Sequence, residues 1–190
     1  MGITHSSMLW EANHENSRST FSLVSFLLQY PDRKWFMWRE LREEASEITH
    51  SEIQRYLLEF IQRISNQSLD ELAEEYVQTF DFSSKTNLYI TYSSLGEEKE
   101  RGTILVELKQ IYQNAGFEVK TDELSDYLPL VLEFLSVAPN QLISEMLTKA
   151  YPSISKLAEE LKQIESDYAL LLEACILAAK PYLEGKGEGV

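Results

Sequence analysis

The chain has 190 residues, 44% of them hydrophobic, and its 31 acidic and 17 basic side chains give a formal net charge of −14. This length fits one domain whose core folds without disulfide support. The negative charge disfavours nucleic acid and anionic lipid as partners and favours basic ones, although it also contributes to solubility alone.

The cysteine content and the ends of the chain indicate the compartment. The single cysteine, Cys175, lies in an apolar run, so no intramolecular disulfide forms and a reducing compartment is natural. The N-terminal residues lack the pattern of a signal peptide, and no apolar stretch approaches the roughly 20 residues that span a membrane. We therefore expect a cytoplasmic protein without stable membrane association. We also expect a flexible tail over 1–17, one helical domain over 18–183 and a disordered tail over 184–190.

Helical periodicity predicts four helices in the first half of the chain. Their start signals, in order, are Ser19 or Thr20, Asp32, Ser51 and Ser68. Pro31 ends the first helix, and Ser68 with Glu71 forms the capping-box pattern that opens the fourth. The segment 88–92 (LYITY) has strand propensity, but no second strand is available to pair with it. We interpret it as a short helix or an ordered loop.

The second half of the chain predicts further helices. An amphipathic helix covers Ile104 to Ala115, and Gly116 lies where a left-handed C-terminal cap belongs. Asp126 opens the next helix, with Pro129 in its first turn. The expected buried stripe of that helix is Leu128, Val131, Leu132 and Leu135. The remaining breaks and helices are Pro139, Pro152, 157–164 and 168–179. The predicted fold is an all-α, single-domain helical bundle.

Two Glu-x-x-His pairs, Glu11 with His14 and Glu47 with His50, match the motif of helical-bundle di-iron proteins. The first pair lies in the polar tail and the second straddles a helix end, whereas such sites need inward-facing ligands from four helices. No metal site is therefore predicted, and a helical-bundle metalloenzyme is kept as an alternative. No Gly-rich nucleotide loop or histidine-activated nucleophile is found, so no catalytic residue is predicted.

Acidic and aromatic residues in the central third of the chain favour a binding surface. Asp126 and Glu133 are seven residues apart, so we expect them on one exposed helix face. Arg101 either forms an internal ion pair with Asp81 or Asp126, which is the favoured interpretation, or contacts a ligand. Core packing and a groove lining are both open for four aromatic residues: Tyr76, Phe80, Tyr89 and Tyr92.

The order and spacing of five segments resemble those of a known family. The segments are YVQTFD (76–81), LYITY (88–92), GEEKERG (96–102), LKQIYQNAG (108–116) and ELSDYLPLVLEFL (123–135). Together they resemble the NarJ-type nitrate reductase assembly chaperones, a branch of the TorD-like redox-enzyme maturation chaperones. The stretch LQYPD (28–32) also matches the way such proteins begin.

The resemblance implies a TorD-like, all-helical chaperone without catalysis of its own. It would bind the N-terminal leader of the apo catalytic (alpha) subunit of a respiratory nitrate reductase and hold it competent for molybdenum cofactor insertion, binding no cofactor stably. The matching positions are Tyr76, Phe80, Asp81, Leu88, Tyr92, Arg101, Gly102, Tyr112, Gly116, Glu123, Leu124, Asp126, Tyr127, Leu128, Pro129, Leu132 and Glu133. The candidate peptide-binding residues are Tyr76, Phe80, Asp81, Tyr89, Tyr92, Arg101, Tyr112, Glu123, Asp126, Tyr127, Leu128 and Glu133.

Some positions depart from the pattern of the family. Glu97 and Lys99 stand where members tend to have Asp and Arg, and Ser125 stands where a proline is common. Asp126-Tyr127 stands where the wider TorD branch often has Asp-His, which favours the nitrate reductase branch and weakens any claim of nucleotide binding. The nearer alternative is a chaperone for a sulfoxide or N-oxide reductase with a twin-arginine leader.

Overall fold

The computed structural model describes residues 5–92, 99–120 and 122–184. Within these ranges the chain forms eight α-helices and one short 3-10 helix, so the predicted all-α fold is confirmed. The α-helices are α1 (His5–Leu27), α2 (Trp38–Glu47), α3 (Ser51–Ile64), α4 (Leu69–Phe80), α5 (Lys99–Asn114), α6 (Leu128–Val137), α7 (Asn140–Gln163) and α8 (Tyr168–Glu184). The 3-10 helix spans Arg33–Phe36.

Helix α1 begins well before the predicted start at Ser19 or Thr20. Residues 5–17 were expected to form a flexible tail, but they belong to this helix. The His14 side chain is buried, and its ring meets the ring of Tyr182 edge-on at 4.4 Å between centroids. Over residues 11–17, whose side chains the structure describes, the buried ones are His14 and Ser17, which are polar and give no apolar periodicity. Positions 1–4 and 185–190 of the two predicted tails lie outside the described residues.

One basic side chain of α1 reaches the connection between two other helices. The Arg18 guanidinium donates hydrogen bonds to the carbonyl oxygens of Ser136 (3.1 Å) and Ala138 (2.7 Å). It also donates to Asn140 Oδ1 at 2.8 Å. A cation is favourable at this place because the C-terminal end of α6 presents carbonyl oxygens and a negative dipole. Arg18 therefore fixes α1 to the α6–α7 corner.

Local sequence signals set most of the other helix starts. The predicted capping box of α4 is present, with Ser68 and Glu71 satisfying each other's free backbone amides. Helix α3 starts at Ser51 as expected, and the preceding His50 accepts a hydrogen bond from the Ile53 amide. Asp32 caps the 3-10 helix by accepting from the Lys34 amide at 2.7 Å.

Two further predicted helix boundaries are wrong. Helix α6 begins at Leu128, so Asp126 precedes the helix instead of opening it. Helix α7 continues through Pro152, which was expected to interrupt it. A proline inside a helix removes one backbone hydrogen bond and costs about 3 kcal/mol or more. Buried residues on both sides of Pro152, such as Ala150 and Ile154, form one continuous apolar stripe whose burial offsets that cost.

The core is one continuous cluster of buried apolar side chains from residue 21 to residue 182. Helix α1 packs against α6 and α8, while α3 and α7 both pack against α8. Helix α5 touches the bundle mainly through α7. The segments 88–92 and 122–127, on either side of α5 in the chain, build the candidate site. Among the described helices, none combines the length and apolar character needed to cross a membrane.

Candidate peptide-binding site

Two loops cross and hold each other in place. The segment 88–92 runs beside the segment 122–127, and Tyr89 and Tyr127 form an isolated antiparallel bridge. The Ile90 amide donates to the Asp126 carbonyl at 3.1 Å, and the Leu128 amide donates to the Leu88 carbonyl at 2.8 Å. The segment 88–92 is therefore ordered by a neighbouring loop, which agrees with its interpretation as an ordered loop.

A buried ion pair lies under this crossing. The Asp126 side chain is fully buried, and its Oδ2 atom is 3.2 Å from Nη2 of Arg101, which is 12% exposed. The amide of Thr91 donates to the same carboxylate at 3.3 Å, and its hydroxyl does so as well. Arg101 Nε in turn donates to the Thr91 hydroxyl oxygen at 3.0 Å. The expectation of an exposed Asp126 is therefore wrong, and the internal ion pair of Arg101 is confirmed.

This ion pair fixes the positions of the two loops relative to α5. Moving two charges out of water costs several kcal/mol per ion unless hydrogen bonds compensate them. Thr91 supplies that compensation because it donates to Asp126 and accepts from Arg101. The pair thus joins the loop 88–92, the loop 122–127 and the N-terminal part of α5.

The end of α5 forms one side of an apolar groove. Gly116 has a φ of 79°, and its amide donates to the Gln113 carbonyl at 2.9 Å. The Phe117 amide donates to the Tyr112 carbonyl at 3.0 Å. These two bonds define a Schellman motif, so the predicted left-handed cap at Gly116 is confirmed. The motif turns the chain back along α5 and places Phe117 at the surface, where it is 38% exposed.

The α5 groove is the cavity between α5 and the returning chain, with a volume of about 500 Å³. Its lining residues are Leu105, Val106, Lys109, Tyr112, Gln113, Phe117, Glu118, Val119, Glu123, Leu124 and Ser125. The Ser125 hydroxyl donates to the Leu105 carbonyl at 2.7 Å, and the Tyr112 hydroxyl donates to the Ser125 carbonyl at 2.8 Å. A proline at position 125 could not make the first of these bonds. Ser125 therefore fixes the wall of the groove to α5.

A second cavity, the α6 groove, lies on the other side of Phe117. Its volume is about 520 Å³, and its lining residues are Tyr112, Phe117, Glu118, Val119, Lys120, Leu130, Glu133, Phe134 and Val137. The ring of Phe117 meets that of Phe134 at 5.6 Å, and Tyr112 meets Phe134 at 4.9 Å. The two grooves thus share one aromatic wall. Together they present apolar surface lined by three glutamates and two lysines.

Four tyrosines form a cluster next to the α5 groove, and we call Tyr30, Tyr76, Tyr89 and Tyr127 the tyrosine cluster. The Tyr76 hydroxyl donates to the Leu28 carbonyl at 3.1 Å and lies 3.4 Å from the Tyr127 hydroxyl. Burial and the hydrogen bond to Glu123 raise the pKa of Tyr89. Burial, followed by the neighbouring Tyr127 hydroxyl, raises the pKa of Tyr76. These hydroxyls therefore stay protonated at neutral pH and act as hydrogen-bond donors.

The structure divides the twelve predicted peptide-binding residues into three groups. Phe80, Leu128 and Asp126 are interior and line neither groove, which corrects their assignment to a contact surface. The residues of the grooves are Tyr112, Glu123 and Glu133. The residues at the loop crossing, in the tyrosine cluster and at the C-terminal end of α4 are Tyr76, Asp81, Tyr89, Tyr92, Arg101 and Tyr127. Tyr76 and Tyr112 are also buried, with 5% and 1% of their surface exposed, so peptide binding remains a prediction for the accessible residues.

Sequence reasoning missed the apolar walls of the grooves. Val106 lies in α5 and is 57% exposed, and Leu124 lies in the loop 122–127 and is 44% exposed. An apolar residue in a helix or a turn carries no local signal that it is exposed. Phe117 follows directly after the predicted cap glycine. An apolar residue just past a helix end commonly packs back on the last turn, so Phe117 was the one wall residue with a readable signal.

The Glu-x-x-His pairs have structural roles. His50 caps α3 and His14 packs on Tyr182, while Glu47 is exposed. Over the ranges that the structure covers, no group of three or more His, Cys, Asp or Glu side chains is arranged to hold a metal ion. Burial raises the pKa of the Cys175 thiol, so the thiol is protonated at neutral pH. The noted position Glu97 lies outside the described residues, and the side chain of Lys99 does as well.

Comparison with known proteins identifies the family. The family model "Nitrate reductase delta subunit" matches residues 41–178. The chain is 39% identical over 170 residues, 87% of this chain and 91% of the relative, to the "Probable nitrate reductase molybdenum cofactor assembly chaperone NarJ" of Bacillus subtilis. It is 30% identical over 165 residues, 85% of this chain and 70% of the relative, to the nitrate reductase molybdenum cofactor assembly chaperone NarJ of Escherichia coli.

The fold is also similar to that of a solved structure. A candidate redox enzyme maturation protein from Archaeoglobus fulgidus superposes with a TM-score of 0.60 at 23% identity, covering 84% of this chain and 91% of the other. At that identity the similarity shows the fold alone, and it agrees with the predicted TorD-like bundle. The family resemblance inferred from the five segments is confirmed. The chain belongs to the nitrate reductase delta subunit family, and the relatives from Bacillus subtilis and Escherichia coli are named as assembly chaperones.

Proposed function

We propose that this protein binds the N-terminal segment of a nitrate reductase catalytic subunit and holds that subunit ready for molybdenum cofactor insertion. The names of the relatives supply the enzyme and the cofactor. The observation that carries the proposal is the pair of apolar grooves on either side of Phe117. In this proposal the cofactor enters the partner, and the chaperone assists without keeping it. The cytoplasm is the expected place of the reaction.

The grooves suit an amphipathic helix as their ligand. Such a helix places apolar side chains three and four residues apart into neighbouring pockets of a groove. The α5 and α6 grooves supply two neighbouring pockets that share Phe117 and Tyr112. Tyrosine and phenylalanine are frequent at the centres of protein interfaces because a rigid aromatic ring buries a large area at low entropic cost.

Charge supports a basic ligand. Three glutamates and two lysines line the grooves, which leaves a small acidic excess there, and the whole chain has a net charge of −14. An acidic rim accelerates the association of a basic segment and fixes its orientation, while apolar burial supplies most of the affinity.

Calorimetry tests the proposal with a synthetic peptide of the first 20 or so residues of the nitrate reductase catalytic subunit from the same organism. We expect binding with a negative heat-capacity change, because apolar surface leaves water. Val106→Asp places a charge in the α5 groove and should abolish most of this binding. The matched control is Ile164→Asp, because Ile164 is exposed to 56% and Val106 to 57%, and Ile164 lines neither groove.

Two outcomes would overturn the proposal. The first is the absence of heat from the peptide at several temperatures and pH values. The second is equal binding by the Val106→Asp and Ile164→Asp variants, which would place the peptide elsewhere. A twin-arginine leader of a sulfoxide or N-oxide reductase serves as the comparison peptide, and we expect it to bind more weakly.

A further inference from the structure

The turn between α1 and α2 exposes apolar and basic side chains together, and we call residues 33–39 the basic corner. Its residues are Arg33, Lys34, Trp35, Phe36, Met37, Trp38 and Arg39. Phe36 is 43% exposed and Met37 is 51% exposed. The three basic side chains are exposed as well, and Trp38 is half-buried. None of the described groove-lining residues belongs to this corner, so the proposed binding of a leader leaves it unused.

The basic corner is held in place from below. Trp35 is 1% exposed, and its ring centre lies 6.5 Å from that of Phe26 on α1. Asp32 caps the 3-10 helix that carries the corner. The rings of Phe36 and Trp38 meet edge-on at 5.5 Å between centroids. An ordered turn thus presents the exposed apolar side chains, and a surface that binds them does not have to order the chain first.

The charge of the basic corner is opposite to that of the whole chain. Positions 33–39 contain three basic and no acidic residues, whereas the chain has a net charge of −14. Arg39 lies 3.3 Å from Glu43, but the two side chains are 82% and 62% exposed, so water screens this pair. The other exposed acids next to the corner are Asp32 and Glu40. Salt screens exposed charges beyond about 8–10 Å, so a surface that meets the corner responds mainly to its local charge.

The composition and the shape of the corner favour a membrane surface over a protein as its ligand. Aromatic rings are stable at the level of lipid headgroups, and Lys and Arg side chains attract anionic headgroups. A bound peptide would need a groove with pockets for its side chains. Seven of the nine residues 32–40 are exposed, so the chain protrudes here instead of forming a groove. A protruding apolar tip flanked by basic side chains fits a flat bilayer.

We propose that the basic corner docks the protein on the surface of an anionic bilayer. Phe36 and Met37 enter the headgroup layer, and the basic side chains contact lipid phosphates. Docking is weak and reversible, because few apolar side chains enter the bilayer and the acidic remainder of the chain is repelled by it. It therefore agrees with the expectation of no stable membrane association. The corner shares no described residue with the grooves, so docking does not depend on the proposed function.

Co-sedimentation with vesicles tests the charge of the corner. At low ionic strength we expect the protein to bind vesicles of phosphatidylglycerol and phosphatidylcholine more tightly than vesicles of phosphatidylcholine alone, and added salt should weaken the binding. Lys34→Gln should weaken it about fivefold, the effect of one basic charge near the surface. Glu40→Gln should strengthen it. Lys180→Gln removes an exposed lysine outside the corner and should leave the binding unchanged.

A dye attached to the corner tests insertion. Met37→Cys provides a site for an environment-sensitive dye, whereas Cys175 is 1% exposed and stays unlabelled in the folded protein. We expect the dye at position 37 to report an apolar environment when anionic vesicles are added. The matched control is Ile164→Cys, because Ile164 is 56% exposed and lies outside the corner. Phe36→Ser combined with Met37→Ser should weaken vesicle binding at least about tenfold.

Three results would overturn the membrane proposal. The first is that the unaltered protein does not sediment with anionic vesicles at low salt. The second is that the dyes at positions 37 and 164 respond equally, which would mean that the protein contacts vesicles without a preferred face. The third is binding of soluble polyglutamate without binding of vesicles, because the corner would then recognise an acidic polypeptide. Thermal unfolding of each variant provides the folding control, and Val106→Asp should bind vesicles as the unaltered protein does.

Discussion

Helices α5 and α6 are neighbours, but they differ in how many of their apolar residues are buried. Helix α6 has ten residues, and six of them are buried: Leu128, Pro129, Val131, Leu132, Phe134 and Leu135. Helix α5 has sixteen residues, and the buried ones among its described side chains are Leu108, Ile111 and Tyr112. Its exposed face carries Val106, and the chain that follows carries Phe117 and Leu124. Helix α6 thus serves the core, whereas α5 leaves apolar surface at the grooves.

One short stretch of chain therefore separates the residues that stabilise the fold from those that are proposed to bind a ligand. The buried pair of Asp126 and Arg101 lies at the boundary, because it fixes the loop before α6 to the start of α5. Substitutions on the core side should lower the free energy of unfolding. Substitutions on the groove side should change ligand affinity while the free energy of unfolding stays nearly constant.

The largest effect on stability is expected at the boundary. Asp126→Ala leaves the Arg101 charge without its buried partner, which should lower the free energy of unfolding by about 3–5 kcal/mol. Denaturant unfolding followed by circular dichroism measures this change. The exposed Asp81→Ala is the control and should stay within about 0.5 kcal/mol. A loss below about 1 kcal/mol for Asp126→Ala would mean that the pair does not hold the two loops together.

The next effect concerns the core of α6. Leu132 is fully buried, so Leu132→Ala should lower the free energy of unfolding by about 2–5 kcal/mol through lost burial and the cavity that remains. Val106→Ala on α5 should cost little, because that side chain is already half in water. Similar losses of unfolding free energy for the two variants would contradict the distinction between a core helix α6 and an exposed apolar face on α5.

A smaller effect is expected where α5 ends. Gly116 has a positive φ, so Gly116→Ala should cost about 1–2 kcal/mol in conformational strain. Gly102 lies inside α5, and a Cβ there would meet no atom within 4 Å. Gly102→Ala should therefore stabilise the protein by about 0.5–1 kcal/mol. Denaturant unfolding of both variants checks the opposite signs, and a Gly116→Ala variant that is as stable as the unaltered protein would contradict the role of Gly116 as a cap.

The smallest change in stability is expected on the exposed side of α6. Glu133→Lys should change the free energy of unfolding by no more than about 0.5 kcal/mol, because the side chain is exposed. The same variant should slow the association of a basic leader peptide, and added salt should reduce the difference. Stopped-flow association at two ionic strengths measures this. An unchanged association rate would show that Glu133 is only a solvated side chain.

Signals contained within a few neighbouring residues allowed correct predictions. The serine–glutamate box of α4 and the cap at Gly116 each depend on residues within one turn. The apolar stripe of α6 was predictable because its period is that of a helix. Such features need no knowledge of distant parts of the chain.

Features that depend on distant residues were not predictable in the same way. The burial of Asp126 depends on Arg101, which lies 25 residues away. The part of α1 before Ser19 includes His14, whose packing partner Tyr182 lies near the other end of the chain. Pro152 carries a strong local signal for a helix end, but the packing of α7 against α8 overrides it. The grooves arise only when the chain returns along α5, so their volume has no signature in one segment.

The hydrogen bonds of Arg18 to the α6–α7 corner have a practical consequence for anyone who trims this protein. A shortened version that begins at Ser19, the helix start that periodicity suggests, would lack both this guanidinium and the ring of His14. The carbonyl oxygens of Ser136 and Ala138 would then depend on water at a corner next to Val137, which lines the α6 groove. Deleting residues that look dispensable in the sequence would thus weaken the packing of the α6–α7 corner that supports the α6 groove.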